Sequence, residues 1–565
     1  MIQKRARFHP DHELLLNPLR RVDFGLLTAD PSVVPVTISV ATRPFLFTLS
    51  KTKNLDDPPP ASFPARLFFF WRTCRLPCGY KDQPKLAAPM HQQHHSHVRA
   101  HSSIHASTTY VLAFDRSLMA SLLPAFTVRR GDPVLVAPAG PTPSETKTLS
   151  DLDDMEGMRF YSSGIHLYRH SPAKEGQDPA KVIREALAMA LVPYYPLAGR
   201  LREEEGRKLV VDCAAQGVMF VEADADLTAD DFGDVQCPPF PCFEQFILES
   251  TTVAGVEPVI DRPLLYIQVT RLKCGGFIFG QRFCHCVVDA PGGMQFEKAI
   301  CELACGAEAP SVAPVWGREI FMARQPPQPS YPHLEYRESA AGGPDRMLST
   351  PPGDMVRVPF FFGPREIDGL RRRAPPGMRC SRFELVAACI WRSRTAALGY
   401  APGDEVRLAF VVNARGRAGV PLPEGFYGNA FACPVAAATA GELCGKDLGH
   451  ALELVRKAKA AVTYDYLLSV ADLMVLTGRP LFALPRTYIV SDVSHAGFKS
   501  VDFGWGEAVY GGPAKGGEGP LPGVTNYFTR AKNGKGEEGT VVPICLPKDA
   551  MEKFQLEVEG LTAEL

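Results

Sequence analysis

A chain of 565 residues that is 45% hydrophobic, with a formal net charge of −1, is long enough for two domains and a large buried core. The charge is uneven, with 15 Lys and Arg against 8 Asp and Glu in residues 1–118 and 46 against 54 thereafter; the mildly acidic remainder lacks the clustered basic face of a nucleic-acid partner. No apolar run reaches the roughly 18 residues of a membrane span, no signal-like n-region and h-region opens the chain, and the 15 cysteines, odd in number and scattered, read as free thiols in a reducing compartment, so the cytosol is expected.

In chain order, residues 1–118 read as a disordered extension. Asp56-Asp57-Pro58-Pro59-Pro60 breaks any regular element, His91 to His105 is a His/Gln/Ser tract without apolar period, and eight of the fourteen histidines lie here. From Met119 the signals become regular. Asp178-Pro179 opens a helix, with the carboxylate as N-cap and proline at the first position, and Val182, Ile183, Ala186, Leu187, Ala190 and Leu191 share one face before Pro193 stops it. Leu209 to Asp212 and Val218 to Glu222 read as strands. Leu264 to Leu272 and Phe277 to Cys284 read as two longer strands joined through Gly275-Gly276, a hairpin that runs straight into His285. Phe296, Ala299, Ile300, Leu303 and Ala304 then follow helical spacing. Residues 307–353 lack periodicity and contain nine prolines, the composition of a connection between domains. Beyond it, Ser381 with Glu384 forms a capping box ahead of Leu385, Ala388 and Cys389, and Leu448, Ala451, Leu452 and Val455 mark a further helix. Helices and strands are mixed on both sides of the connection, so the class is α/β or mixed α+β with two domains: 119–306 and 354–565, with 307–353 as crossover.

His285-Cys286-Val287-Val288-Asp289 places an imidazole at a strand end and a carboxylate four residues later, at the turn into a Gly292-Gly293 helix. A neutral imidazole within hydrogen-bond reach can take the proton of an alcohol as its oxygen attacks a carbonyl. On spacing alone, His and Asp four apart occur by chance and a satisfied core histidine is the commoner outcome. Cys284 and Cys286 flank the histidine, but alternate strand residues point to opposite faces and no second Cys/His pair follows at a zinc spacing, so no metal is expected. Asp502-Phe503-Gly504-Trp505-Gly506 brackets an indole between two glycines after an acid; by itself this is a tight turn around a large side chain.

Together these segments resemble the BAHD acyltransferases of plants, most closely the benzyl alcohol O-benzoyltransferase group, from Met119 to Leu565. His285 to Asp289 matches the family's H-x-x-x-D and Asp502 to Gly506 its D-F-G-W-G. Tyr194 to Leu201 (YYPLAGRL), Phe426-Tyr427-Gly428-Asn429 and Tyr510 to Gly517 (YGGPAKGG) match as well and in order. The resemblance implies a two-domain chloramphenicol-acetyltransferase-like fold with a channel between the domains, acyl-CoA as co-substrate with no bound cofactor, an alcohol acceptor, and a monomer. His285 is then the general base, with direct transfer and no acyl-enzyme. Asp289 positions it by pairing with an arginine, and Asp502 lies away from the chemistry. The resemblance further implies that Arg417 is the partner of Asp502, that Gly504 and Gly506 shape its loop, and that Ser381, Phe383, Asn429, Ser491 and Trp505 lie along the substrate and CoA channel. The expected reaction moves a benzoyl or acetyl group to a small alcohol. The alternatives are a hydroxycinnamoyl donor with an alcohol or amine acceptor, or an inactive binding protein on the same fold. A serine hydrolase is disfavoured by the absence of any Gly-x-Ser-x-Gly elbow. Cys284 stands where the family often has Asn or Thr, Ala290 where many members have Gly, and residues 1–118 have no family counterpart.

Overall fold

The computed structural model describes residues 123–233, 238–248, 258–338, 345–517 and 523–563, with a two-residue antiparallel pairing of Ile38–Ser39 and Thr48–Leu49. The chain divides into Met1–Thr108 and Thr109–Leu565, and the two large sheets with their helices all belong to the second unit. The expected extension at 1–118 otherwise lies outside the described residues.

The local signals form the elements they announce. Asp178 accepts the amide of Ala180 and starts α1 (Pro179–Ala190), whose buried face is Ile183, Ala186, Leu187 and Ala190. The glycine hairpin joins β5 (Leu265–Leu272) to β6 (Phe277–Cys284), antiparallel with Leu265 opposite Phe283. Helix α2 (Ala290–Ala304) follows directly. The Ser381/Glu384 capping box opens α3 (Arg382–Leu398), each side chain bonded to the other residue's amide, and α4 (Leu448–Ala461) and α5 (Tyr464–Thr477) come next.

Two large sheets organise these elements. The first contains β1 (Val128–Arg130), β2 (Val134–Val136), β3 (Tyr161–Tyr168), β4 (Val218–Ala225), β5 and β6; the second contains β7 (Met355–Phe362), β8 (Glu405–Phe410), β9 (Val435–Thr439), β10 (Thr487–Asp492), β12 (Thr525–Lys532) and β13 (Glu538–Pro547). The remaining strand, β11 (Tyr510–Pro513), completes the first sheet, whose order is β11-β3-β6-β5-β4-β1 with β2 also on β4; the second runs β7-β13-β12-β10-β8-β9. Helices α1 and α2 pack together on the first sheet, while α3 packs against α4 and α6 (Lys548–Thr562) beside the second. Every residue of β6 is buried, because helix and loop cover both its faces.

Strand β11 follows the proline-rich connection in sequence but pairs antiparallel with β3, Tyr510 opposite Leu167 and Pro513 opposite Gly164. Tyr510–Pro513, which follows the Asp502 loop, therefore belongs to the first sheet, so division by sequence and division by sheet do not coincide.

Candidate active site

Strand β6 delivers His285. The ladder continues one residue past the strand, with the His285 amide donating to the Phe160 carbonyl at 2.8 Å, and then turns as the Val287 amide donates to the Cys284 carbonyl at 3.2 Å. Asp289 ends the turn as N-cap of α2, its Oδ1 accepting the Gly292 amide at 2.9 Å. The imidazole lies between two aromatic rings contributed by distant parts of the chain, Phe160 at 5.0 Å and Phe431 at 6.0 Å between centroids. Burial lowers its pKa below 6.5, and Asp289, the residue's own backbone, Asn429 and Asp153 oppose that shift only in part. A ring so placed is neutral at pH 7 and able to accept a proton.

Both oxygens of Asp289 are occupied within the protein. Arg415 reaches them with its two terminal nitrogens at 2.6 and 3.0 Å, and the Ala430 amide donates to Oδ2 at 3.0 Å. Arg415 also donates to the carbonyls of Gly428 and Phe426. Asp289 is thus a peg for the turn, with no free oxygen for substrate. Asn429, expected along the channel, lies under the His285 turn: its Nδ2 donates to the His285 carbonyl at 2.8 Å and to Asp153 at 2.7 Å.

Asp502 is placed differently from the expectation. It has no contact with Arg417; its Oδ1 accepts the amides of Gly504 and Gly506 at 2.7 and 2.8 Å and closes its own loop. The loop reverses at Gly504 and Gly506, both at φ +97°, a conformation that costs glycine least. Phe503 packs on Tyr168, Phe277 and Phe279, and Trp505 on Phe277 under the Lys174 ammonium. Phe279 precedes His285 by six residues of extended chain, roughly 20 Å at about 3.3 Å per residue, so this loop braces the end of β6 far from His285. Arg417 instead donates to the carbonyls of Val462 and Lys459 at 2.8 and 3.1 Å. The expected Asp502–Arg417 pair is therefore not formed, while the arginine expected to pair with Asp289 is Arg415, two residues before Arg417.

Arg417 borders a cavity of about 450 Å³ lined also by Glu384, Arg456, Lys457, Lys459 and Ala460. Ser381 caps the helix whose first turn contains Glu384, and Phe383 lies beneath the Lys459 ammonium, 5.9 Å from ring centre to nitrogen. These residues form a second, basic locus apart from the His285 turn. Ser491, half-buried on β10, faces Tyr527 in the register of the second sheet.

Two other constellations fail on access. Ser469 Oγ lies 2.7 Å from His333 Nε2, and His333 Nδ1 lies 3.0 Å from Glu335, the order of a hydrolytic relay. All three are buried, and the Ser469 oxygen already accepts the amides of Ser330 and Tyr331. The set straps the connection to α5. Cys284 and Cys286 are buried free thiols, and the Cys284 thiol beside it, together with burial, holds Cys286 well above its usual pKa. Among the described residues, no three His, Cys, Asp or Glu side chains gather to hold a metal ion, and no single helix is long and apolar enough to cross a membrane.

Sequence reasoning missed Asp153, Arg318, Arg415, Phe160 and Phe431. Its signals for them were slight: an acidic run at Asp151 to Asp154, and a tryptophan two residues before Arg318 in an aperiodic stretch.

The profile of the Transferase family matches residues 127–561. Over 438 residues the chain is 55% identical to the benzyl alcohol O-benzoyltransferase of Petunia hybrida, covering 77% of this chain and 94% of that protein. Its fold is similar to that of vinorine synthase, with a TM-score of 0.59 at 22% identity over 77% of this chain and 98% of the other. It is also similar to F. graminearum TRI101 complexed with coenzyme A and T-2 mycotoxin, with a TM-score of 0.55 at 16% identity over 73% and 97%. With a family match over residues 127–561 and 55% identity to a relative of which the chain covers 94%, the chain belongs to the Transferase family of BAHD acyltransferases.

Proposed function

We propose that this acyltransferase moves a benzoyl, acetyl or similar acyl group from acyl-CoA to the hydroxyl of a small alcohol, with His285 as general base. The observation that carries the reading is the His285 ring itself: neutral by burial, fixed at a strand end, and flanked by two phenylalanines. His285 Nε2 takes the hydroxyl proton as the alcohol oxygen attacks the thioester carbonyl. The tetrahedral intermediate collapses by breaking the carbon–sulfur bond, and the leaving thiolate recovers that proton from the imidazolium. A thioester needs little further activation, and a positioned base supplies about 100-fold to 10,000-fold.

The donor end is supported by the cavity with four cationic side chains, Arg417, Arg456, Lys457 and Lys459, against one carboxylate, Glu384; such a surface suits the phosphates of coenzyme A. The apolar rings beside His285 favour an acceptor or acyl group with a flat apolar body. The 55% identity to a benzyl alcohol O-benzoyltransferase supports the same choice. The test is a panel of acyl-CoAs crossed with alcohols and amines. Benzyl or short primary alcohols acylated from benzoyl-CoA or acetyl-CoA are expected. Turnover only with hydroxycinnamoyl donors or amines would change the substrate assignment and leave the reaction class, whereas hydrolysis of acyl-CoA without an acceptor product would overturn the transfer itself.

A further inference from the structure

The catalytic turn is gripped by two separate cations. Arg415 holds its end through Asp289, and Arg318 holds its middle. The guanidinium of Arg318 donates to the Val287 carbonyl at 2.8 Å and lies 3.2 Å from Asp153 in an ion pair. Asp153 in turn accepts the Asn429 amide at 2.9 Å and its Nδ2 at 2.7 Å, and that same Nδ2 donates to the His285 carbonyl. Asp153, Arg318 and Asn429 are 0%, 1% and 0% exposed. The rest of the guanidinium is enclosed by the rings of Trp316, Phe426 and Tyr427, 4.4, 5.1 and 5.0 Å away, an arrangement that compensates a desolvated cation through the ring faces. The space is reserved by glycine: a Cβ at Gly428 would overlap the Arg318 guanidinium.

We propose that Arg318, acting through Asp153 and Asn429, is a positioning residue for His285. It fixes the peptide units of His285 and Val287 and thereby the aim of the imidazole. Two carbonyls in a buried turn need donors, and this cluster supplies both from segments distant in sequence. The planar fork is what the task requires, since one edge meets a carboxylate while another meets a peptide oxygen; a single ammonium cannot span both. The charged groups at the turn are Asp289 with Arg415 and Asp153 with Arg318, the Asn429 amide bonds its backbone, and Cys284 and Cys286 flank His285 in the chain. Loosening the turn admits water to a ring whose pKa burial holds down, and so moves that pKa up toward 6.5.

The inference rests on the acyl-transfer reading for its kinetic arm only. Arg318→Lys and Gly428→Ala are compared with Arg324→Lys, a change in the same connection at a cation that pairs with Asp465 and Asp472 and touches no part of the turn. The two clamp variants should lower kcat about 10-fold to 100-fold with KM for acyl-CoA within about twofold, and shift the acid limb of the pH profile upward; Arg324→Lys should lose stability without either change. In parallel, the His285 ring is titrated by NMR with labelled histidine, assigned by its loss in His285→Ala. Its pKa should rise in the clamp variants. This arm reads the positioning even if the wild type transfers no acyl group, a result that would sink the functional reading alone. Gly428→Ala keeps the proposal testable if Arg318→Lys does not fold. A folded clamp variant with wild-type kcat, acid limb and ring pKa would overturn it, even with a lowered Tm.

Discussion

Asp289 and Asp502 both accept glycine amides at a tight turn, yet only one of them is tied to the opposite half of the molecule. Asp289 meets Arg415 and the Ala430 amide across 126 and 141 residues of sequence, whereas both amides on the Asp502 side chain come from within four residues. Asp289 therefore ties the turn after β6 to the loop that follows β8, through Arg415, and to the returning segment at Ala430. Asp502 makes one loop rigid, and that loop's aromatic residues do the long-range packing, on the end of β6 remote from His285. Two sequence motifs of similar prominence thus serve different ends: one aims a reactive ring, and the other anchors the strand that carries it.

The widest separation between the two regions should appear in turnover. His285→Ala removes the base and should lower kcat by about 100-fold to 10,000-fold, with acyl-CoA affinity and Tm nearly unchanged. In the wild type the active form of the base is the neutral ring. Since burial lowers the His285 pKa, activity should rise with pH through a midpoint below 6.5 and be level above it. A steady-state pH profile with its acid limb above 6.5, or near-normal turnover in His285→Ala, would place the base elsewhere.

Asp289→Asn comes next. It leaves Arg415 without its counter-charge in a largely buried site, which should cost at most about 3 kcal/mol once the partial exposure of Arg415 is allowed for, and about 10-fold to 100-fold in kcat through the misaimed ring. Thermal melts and kcat measured together check this. Loss of stability with full turnover would mean that the turn holds its shape without the ion pair.

At Asp502 the effect should be smaller and of another kind. Asparagine retains an oxygen for the Gly504 and Gly506 amides, and with no arginine left behind, the loss is the extra strength of charge-assisted bonds, about 1 kcal/mol. Turnover should stay within about threefold of wild type. Asp502→Ala, which removes the acceptor, should lower Tm further. A normally melting Asp502→Asn protein without turnover would return this residue to the chemistry.

What the sequence could and could not announce divides along the same line. Helix starts at Asp178 and Ser381, the hairpin through Gly275-Gly276 and the turn into α2 were legible because each depends on residues a few positions apart, where side chain and backbone bond locally. The links that make the site were not. Asp151 to Asp154 looks like a solvated acidic run, but all four residues are buried, and Asp153 finds its partners 165 and 276 positions away, at Arg318 and Asn429. Arg318 stands in a proline-rich stretch whose lack of period hid its role. The arginine of Asp289 had no number in the sequence, because Arg415 and Arg417 lie in one short loop and only its fold turns Arg415 toward Asp289 and Arg417 toward the Val462 and Lys459 carbonyls. The insertion of β11 beside β3 was equally invisible, since no local pattern names the partner of an edge strand.

Between the two motifs, midway along β6, lies a buried polar group that neither of them uses. Gln281 donates to Glu297 on α2, and His166 on β3 lies 3.8 Å from the other Glu297 oxygen. Burial raises the Glu297 pKa to about 8 and lowers that of His166 to about 4, so at pH 7 both are neutral. Glu297 holds a proton in the folded state that an unfolded glutamate has released, so its contribution to stability is full below about 4.5 and is lost as pH rises toward 8, at no more than about 1.4 kcal/mol per pH unit. His166 acts in the opposite sense, its contribution being present above 6.5 and lost as pH falls toward 4. Glu297→Gln keeps the shape and removes the titration. It should leave kcat near wild type at pH 7 and flatten the decline of Tm between pH 6.5 and 8, where the His166 contribution is constant. An equal decline in the variant would mean that Glu297 is already ionised against a protonated His166. The strand joining the brace to the base would then contain a buried ion pair in place of two neutral groups.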